Sequence, residues 1–205
     1  SAGADALELN ISRNPVDPHI ISGEVEQLYF SIVEDVKKEV RIPVAVKIGP
    51  YFTSLAYVAR QLADRGASAL VLFNRFYRPD IDIYKMRATA ARPFSTPDEI
   101  SWSLRWIALL SGQIPCDLAA STGVHDAQGL IKQLLAGARV VQLCSTLYIH
   151  GFSQINRILA GLEAWMREQA IDSVIDLSLR LQPDLSDRPE VRERLQYIKL
   201  FGGME

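Results

Sequence analysis

The chain has 205 residues, 48% of them hydrophobic, and a formal net charge of −2. That length suits one domain with a sizeable core, and the near-neutral charge gives no electrostatic reason to expect nucleic acid or an anionic membrane as a partner. No run approaches ~20 uninterrupted apolar residues, the start from Ser1 to Ala6 lacks a signal-peptide layout, and two cysteines are too few for a disulfide scaffold or a zinc site, so a reducing, cytoplasmic setting is the default expectation.

Five nearly all-apolar runs read as buried parallel strands, because none shows the in/out alternation of a half-exposed sheet. The first, 5–10, begins almost at once after Ser1, which leads to the expectation of a further segment before it. A helix over 24–40 follows, with Val25, Leu28, Tyr29, Ile32, Val33 and Val36 on one face and Glu24, Glu34, Lys37 and Lys38 left for solvent. Strand 44–48 and helix 54–64 come next, then strand 69–74. The stretch 76–96, rich in Arg, Tyr and Pro and without a strand-like core, reads as a long loop, either a lid or a subunit-contact surface. Helix 98–110, strand 117–121, helix 127–135, strand 140–144 and helix 154–168 complete the pattern. The tail 172–205 mixes charges with Leu181, Leu185, Leu195, Tyr197, Leu200 and Phe201, as an arm packing on this domain or on a partner subunit would; a homo-oligomer is expected. The division is therefore 1–171 for the α/β domain and 172–205 for the extension.

Entries into the strands repeat. Gly3-Ala4, Gly66-Ala67 and Gly137-Ala138 alternate with Ile42-Pro43 and Ile114-Pro115. Repeated right-handed βα units with a parallel sheet follow, as either an open doubly wound sheet or a closed (β/α)8 barrel. A full barrel takes roughly 250 residues, so the barrel requires about three more units than the five seen here.

In both architectures ligands bind at the C-terminal strand ends. Those ends carry Glu8 to Ser12, Lys47-Ile48-Gly49-Pro50, Phe73-Asn74-Arg75, Ser121-Thr122-Gly123-Val124 and Gln142-Leu143-Cys144-Ser145-Thr146. Each alone is ordinary capping or loop solvation; five on one face point to a site. Lys47 closes an apolar strand, where a fixed cation can hold an anionic ligand; the plainer reading pairs it with Glu8. The small turns at Ser121–Thr122–Gly123 and Cys144–Ser145 suit a phosphate. No GxGxxG or GxxxxGK[ST] pattern occurs, which favours a mononucleotide phosphate over NAD or ATP. His19, His125 and His150 are dispersed without metal-ligand spacing, and no metal is expected. Cys144 reads as a small buried strand residue rather than a nucleophile.

These strand ends, in this order, resemble the dihydroorotate dehydrogenase family, class 1 in particular, from about Gly3 to Gly151. Ala4-Asp5-Ala6-Leu7-Glu8-Leu9-Asn10-Ile11-Ser12 looks like the family segment whose Asn touches flavin and substrate, and Pro43-Val44-Ala45-Val46-Lys47 like the strand bearing the flavin lysine. Leu72-Phe73-Asn74 is similar to the strand whose Asn meets the substrate. Ser121-Thr122-Gly123-Val124 and the run from Ala136 to Tyr148 resemble the FMN phosphate region. The resemblance implies the last five βα units of an FMN-binding (β/α)8 TIM barrel. It implies a flavin-dependent oxidoreductase of pyrimidine metabolism, acting on a CH–CH bond with hydride transfer to flavin N5. FMN would be held by Asn10, Lys47, Phe73, Thr122, Gly123, Cys144 and Ser145. A small, pyrimidine-like substrate would meet Asn10, Asn74 and Arg75, and catalysis would fall to Lys47, Ser12 and Arg13.

The chain departs from the family pattern at several positions: Pro15 stands where the second loop Asn is expected, Thr122 replaces a glycine, and Cys144-Ser145 replaces a Gly-Thr. Where the family has a Cys or Ser base stands Arg13, whose guanidinium stays protonated, with Ser12 one residue before it. Dihydroorotate or another substrate is therefore open. The alternatives are a flavin- or phosphate-binding barrel without dehydrogenase activity, and a phosphate-binding lyase or isomerase using Lys47 and the two turns.

Overall fold

The protein is seen in a computed structural model that describes residues 3–76, 78–90 and 92–180. Five short strands form one parallel sheet: β1 (Leu7–Asn10), β2 (Val44–Ile48), β3 (Ala69–Leu72), then β6 (Asp117–Ser121) and β7 (Val140–Gln142), lying side by side in chain order. Helices α1 (Ser22–Glu39), α2 (Leu55–Asp64), α3 (Ile100–Leu110) and α4 (Ala127–Leu135) connect them. Strands that never reverse their order, joined by right-handed crossovers, keep all these helices on one face. A doubly wound sheet has a reversal point instead, and none occurs here.

Side-chain parity builds the core. Val44, Val46, Ile48, Leu70, Leu72, Leu118 and Ala120 face the helices and are buried against Tyr29, Phe30 and Val33 of α1, Leu55, Val58 and Leu62 of α2, and Ile107 and Leu110 of α3. A second cluster joins Ile131 and Leu134 of α4 to Leu162 of α6 (Ser153–Glu168) and Leu177 of α7 (Val174–Arg180). The extension thus begins by packing on its own domain through Leu177; Leu181, Leu185, Leu195, Tyr197, Leu200 and Phe201 lie outside the described residues.

The repeated Gly-Ala entries have a physical basis. After α2 and α4, Gly66 (φ +95°) and Gly137 (φ +110°) turn left-handed, and the next residue's N–H reaches back five positions, Ala67 to Leu62 and Ala138 to Gln133. That closes the last helical turn and aims the chain into the sheet.

The opposite face carries Glu8, Asn10, Ala45, Lys47, Val71, Ala119, Ser121 and Gln142, matched by register: Asn10 beside Lys47, Lys47 beside Val71, and Ser121 beside Gln142. Glu8 of β1 and Gln142 of β7 hydrogen-bond through their side chains although three strands separate them. Four strand spacings in a flat sheet span about 19 Å, beyond the reach of these two side chains. The sheet is therefore strongly curled with this face inward.

Three expectations need correction. The stretch 76–96 contains a two-stranded antiparallel hairpin, β4 (Pro79–Asp82) with β5 (Arg87–Ala90). The last strand stops at Gln142, and Cys144 is an exposed residue ahead of a short helix α5 (Ser145–His150), not a buried strand residue. Strand β3 stops at Leu72, two residues early, although Phe73 and Asn74 still donate backbone hydrogen bonds to Ser121 and Ile48 on either side. No helix among the described residues is long and apolar enough to cross a membrane.

Candidate active site

A cavity of about 250 Å³ opens at the C-terminal strand ends, lined by Lys47, Phe73, Asn74, Arg75, Thr122, Gly123, Cys144 and Ser145 together with Pro93, Ser95, Ser121, Val124 and Gln142. Eight of the eleven residues singled out from sequence meet there. Asn10 stands next to Lys47 on the same face but outside the lining. Ser12 is exposed, and Arg13 lines a different cavity.

Lys47 is three-quarters or more withdrawn from solvent, and its Nζ donates to Gln142 Oε1 at 2.7 Å, with Glu8 Oε1 at 3.9 Å. The amide of Gln142 passes on the contact, its Nε2 donating to Glu8. So Glu8 is present as expected, but Gln142 is the nearer partner. Sequence reasoning left Gln142 out of the site. A signal existed: it is the one strongly polar residue in an otherwise apolar strand, at an inward position.

The turn after β6 has an uncommon backbone: Thr122 and Gly123 both take positive φ, +79° and +83°. The N–H groups of Gly123 and Val124 find no backbone acceptor among the described residues. Lining the same cavity, Ser145 Oγ accepts from Ser95 N at 2.9 Å. Ser95 Oγ and His125 Nε2 are 3.0 Å apart, and the His125 carbonyl accepts from Thr146 and Gln154. Burial, then the neighbouring His150, push the His125 pKa below its ordinary value, which favours a neutral ring beside the hydroxyl. Ser95 lies in a loop without periodicity, so nothing in the sequence marked it.

Asn74 and Arg75 are partly committed elsewhere. Asn74 Nδ2 donates to the Ile11 carbonyl at 3.3 Å, tying β3 to the end of β1. The Arg75 guanidinium holds Glu99 (2.9 Å) and the carbonyls of Arg92, Pro93 and Phe94, pinning the segment after β5 over the cavity. Glu99 is 8% exposed and also takes Arg78 at 3.1 Å and the Thr96 N–H at 3.0 Å. Burial alone would raise its pKa. The Arg75 and Thr96 hydrogen bonds, with both guanidinium charges, outweigh that and hold it below the ordinary value of 4.5.

The lowered Glu99 pKa has a definite sign. A carboxyl with a depressed folded pKa stabilises fully above the unfolded value, and that contribution is lost as pH falls through the folded value. Glu99→Gln is therefore expected to cost roughly 2–4 kcal/mol at neutral pH, since it leaves Arg75 without its counter-charge. Urea titrations of both proteins from pH 7 into the acid range should show the gap closing below 4.5; a pH-independent gap would exclude the ionised carboxylate as its source.

The family profile described as Dihydroorotate dehydrogenase matches residues 2–166. The chain belongs to the dihydroorotate dehydrogenase family. Among curated proteins it is similar to the dihydroorotate dehydrogenase B (NAD(+)) catalytic subunits of Lachnoclostridium phytofermentans (27% identical; 84% of this chain, 59% of the relative) and Methanothermobacter thermautotrophicus (29%; 85% and 59%). That of Pelobacter propionicus is 29% identical over 83% of this chain and 57% of the relative. The chain spans somewhat under three fifths of the length of these relatives.

Proposed function

We propose that the protein is a flavin-dependent oxidoreductase of the dihydroorotate dehydrogenase type, built on five consecutive units of a (β/α)8 barrel, with FMN in the cavity at the strand ends. What most supports this is the gathering of Lys47, Thr122, Gly123 and Ser145 around one cavity of about 250 Å³. The N–H groups of Gly123 and Val124, without a backbone acceptor among the described residues, and the Ser145 hydroxyl fit a phosphate. Lys47, already drawn to the acceptor oxygens of Gln142 and Glu8, fits the polar edge of an isoalloxazine that carries negative charge.

When bound, FMN would supply hydride acceptance at N5 from a substrate CH–CH bond. The chain's own residues would do the rest. Thr122, Gly123, Cys144 and Ser145 would hold the phosphate, Phe73 would line the cofactor, and Asn10 and Asn74 would orient a small pyrimidine-like substrate. NAD(+) as the final acceptor and a further subunit, which the relatives' names print, belong to the same proposal, as does a cytoplasmic setting.

The absorbance spectrum tests the cofactor. Protein purified with FMN present is expected to keep a visible band near ~450 nm after desalting; no band after reconstitution would rule the flavin out. A second reading, a flavin barrel without dehydrogenase turnover, is favoured by Arg13, which cannot act as an ordinary base. Photoreduced protein that no pyrimidine, quinone or NAD(+) reoxidises would decide for it.

A further inference from the structure

Residues 92–96 form part of the wall of the strand-end cavity through Pro93 and Ser95. Among the described residues, the backbone of 92–95 makes no hydrogen bond to another backbone group. Side chains hold it instead, in two places. At the end of β3 the Arg75 guanidinium gathers three consecutive carbonyls, those of Arg92, Pro93 and Phe94, at 3.1, 3.0 and 3.2 Å. Glu99 fixes that guanidinium at 2.9 Å and takes the Thr96 N–H at 3.0 Å. These contacts are all charge-assisted, the stronger class.

The second attachment is of another kind. Ser95, 6% exposed, donates its N–H to Ser145 Oγ at 2.9 Å, and its own Oγ lies 3.0 Å from His125 Nε2. The Phe94 ring stacks on Tyr148 at 5.6 Å between centroids. Contacts between neutral groups are individually weak, so a segment with a charged anchor and a neutral catch opens at the catch. Ser145 links that catch to the cavity. Its oxygen accepts from Ser95, while among the described residues its own proton goes to no protein acceptor, and the side chain lines the cavity. A hydroxyl that donates to an anion becomes a better acceptor, because hydrogen bonds in a chain polarise one another. An anion on Ser145 therefore tightens the bond from Ser95, and by linkage the closed segment tightens the anion.

We infer that residues 92–96 are a strap, anchored by Arg75 and latched by Ser95 on Ser145, which a phosphoryl group in the strand-end cavity clamps shut through the Ser145 hydroxyl. The clamp rests on the phosphate reading of the cavity; the latch does not.

Amide hydrogen exchange of the intact protein, resolved by NMR at Ser95 and Thr96, tests both parts, with inorganic phosphate and FMN each titrated by calorimetry in parallel. In the free protein Ser145→Ala should speed Ser95 exchange about 5- to 20-fold and leave Thr96, which Glu99 holds, within about twofold. His125→Phe should act in the same direction on Ser95 while keeping the Ser145 hydroxyl. Melting curves establish that each variant is folded. Phosphate should slow Ser95 exchange in the wild type and not in Ser145→Ala. Ser95 exchange that Ser145→Ala leaves unchanged, or that speeds up only together with Thr96, overturns the latch. Phosphate or FMN that binds without slowing Ser95 overturns the clamp and leaves the flavin reading standing. Phosphate that slows Ser95 in a protein that binds no FMN supports the clamp and removes the flavin reading instead; binding of neither overturns both.

Discussion

Gly123→Ala is expected to lower stability by about 3 kcal/mol or more and to abolish anion binding at the strand ends. Two independent costs add. At φ +83° any Cβ is strained by the following carbonyl. The new methyl would also lie 2.6 Å from Ile100 Cα and 2.7 Å from the Glu99 carbonyl carbon. Those are backbone atoms, at the point where the 3-10 turn Pro97–Glu99 runs into α3, so no side-chain rotation relieves the overlap. Moving that segment would pull on Glu99 and, through Arg75, on the covering loop. At roughly 2–4 °C per kcal/mol for a protein of this size, melting should fall by roughly 6–12 °C. Gly112→Ala is the control: its φ is +74° with nothing within 4 Å of the new methyl, so it carries the backbone cost alone. Equal melting points for the two variants would mean that the contact with Ile100 contributes nothing.

Lys47→Met should leave the fold intact and weaken FMN about 10- to 100-fold, the cost of one charge-assisted contact in a partly desolvated site. Methionine keeps the packed stem, and Glu8 and Gln142 still satisfy each other. Fluorescence titration of FMN against wild type and variant reads the effect. Removing the cation should weaken the reduced, more negative cofactor further than the oxidised one, so the midpoint potential of bound FMN should fall. Unchanged affinity together with unchanged potential would take Lys47 out of the cofactor site and leave it as a strand-to-strand tie.

Much of the sheet could be read from the chain because each strand is buried where it matters. Val44, Val46 and Ile48 must be apolar to meet α1 and α2, and the same holds for Leu70 and Leu72. The hairpin had no such signature. Nearly all of Pro79–Asp82 and all of Arg87–Ala90 are exposed, and strands without a buried face have no hydrophobic period to display. Helix α5 was concealed for a related reason. Its six residues begin after only two more beyond the strand, and only Thr146 is buried.

The site divided along similar lines. Lys47, Thr122 and Gly123 were legible because a charge or a glycine at the end of an apolar strand breaks a pattern. The Glu99 cluster was not, since it joins residues 24 apart by a contact that only the folded loop creates. Arg75, expected to meet the substrate, lines the cavity, but its guanidinium is largely spent on the loop above it.

Strands β1 and β7 share no backbone hydrogen bond, yet they are compared with each other through one amide. Gln142 has a donor end and an acceptor end, and each is matched, to an acid on β1 and to a base on β2. A slip of β7 by one residue would turn Val141 or Leu143 inward and leave Glu8 and Lys47 with an aliphatic neighbour. The ammonium is presented to the cavity in this geometry only when all five strands are aligned. The residue that holds Lys47 at the cavity is thereby also a gauge of whether the sheet has been assembled in the right frame.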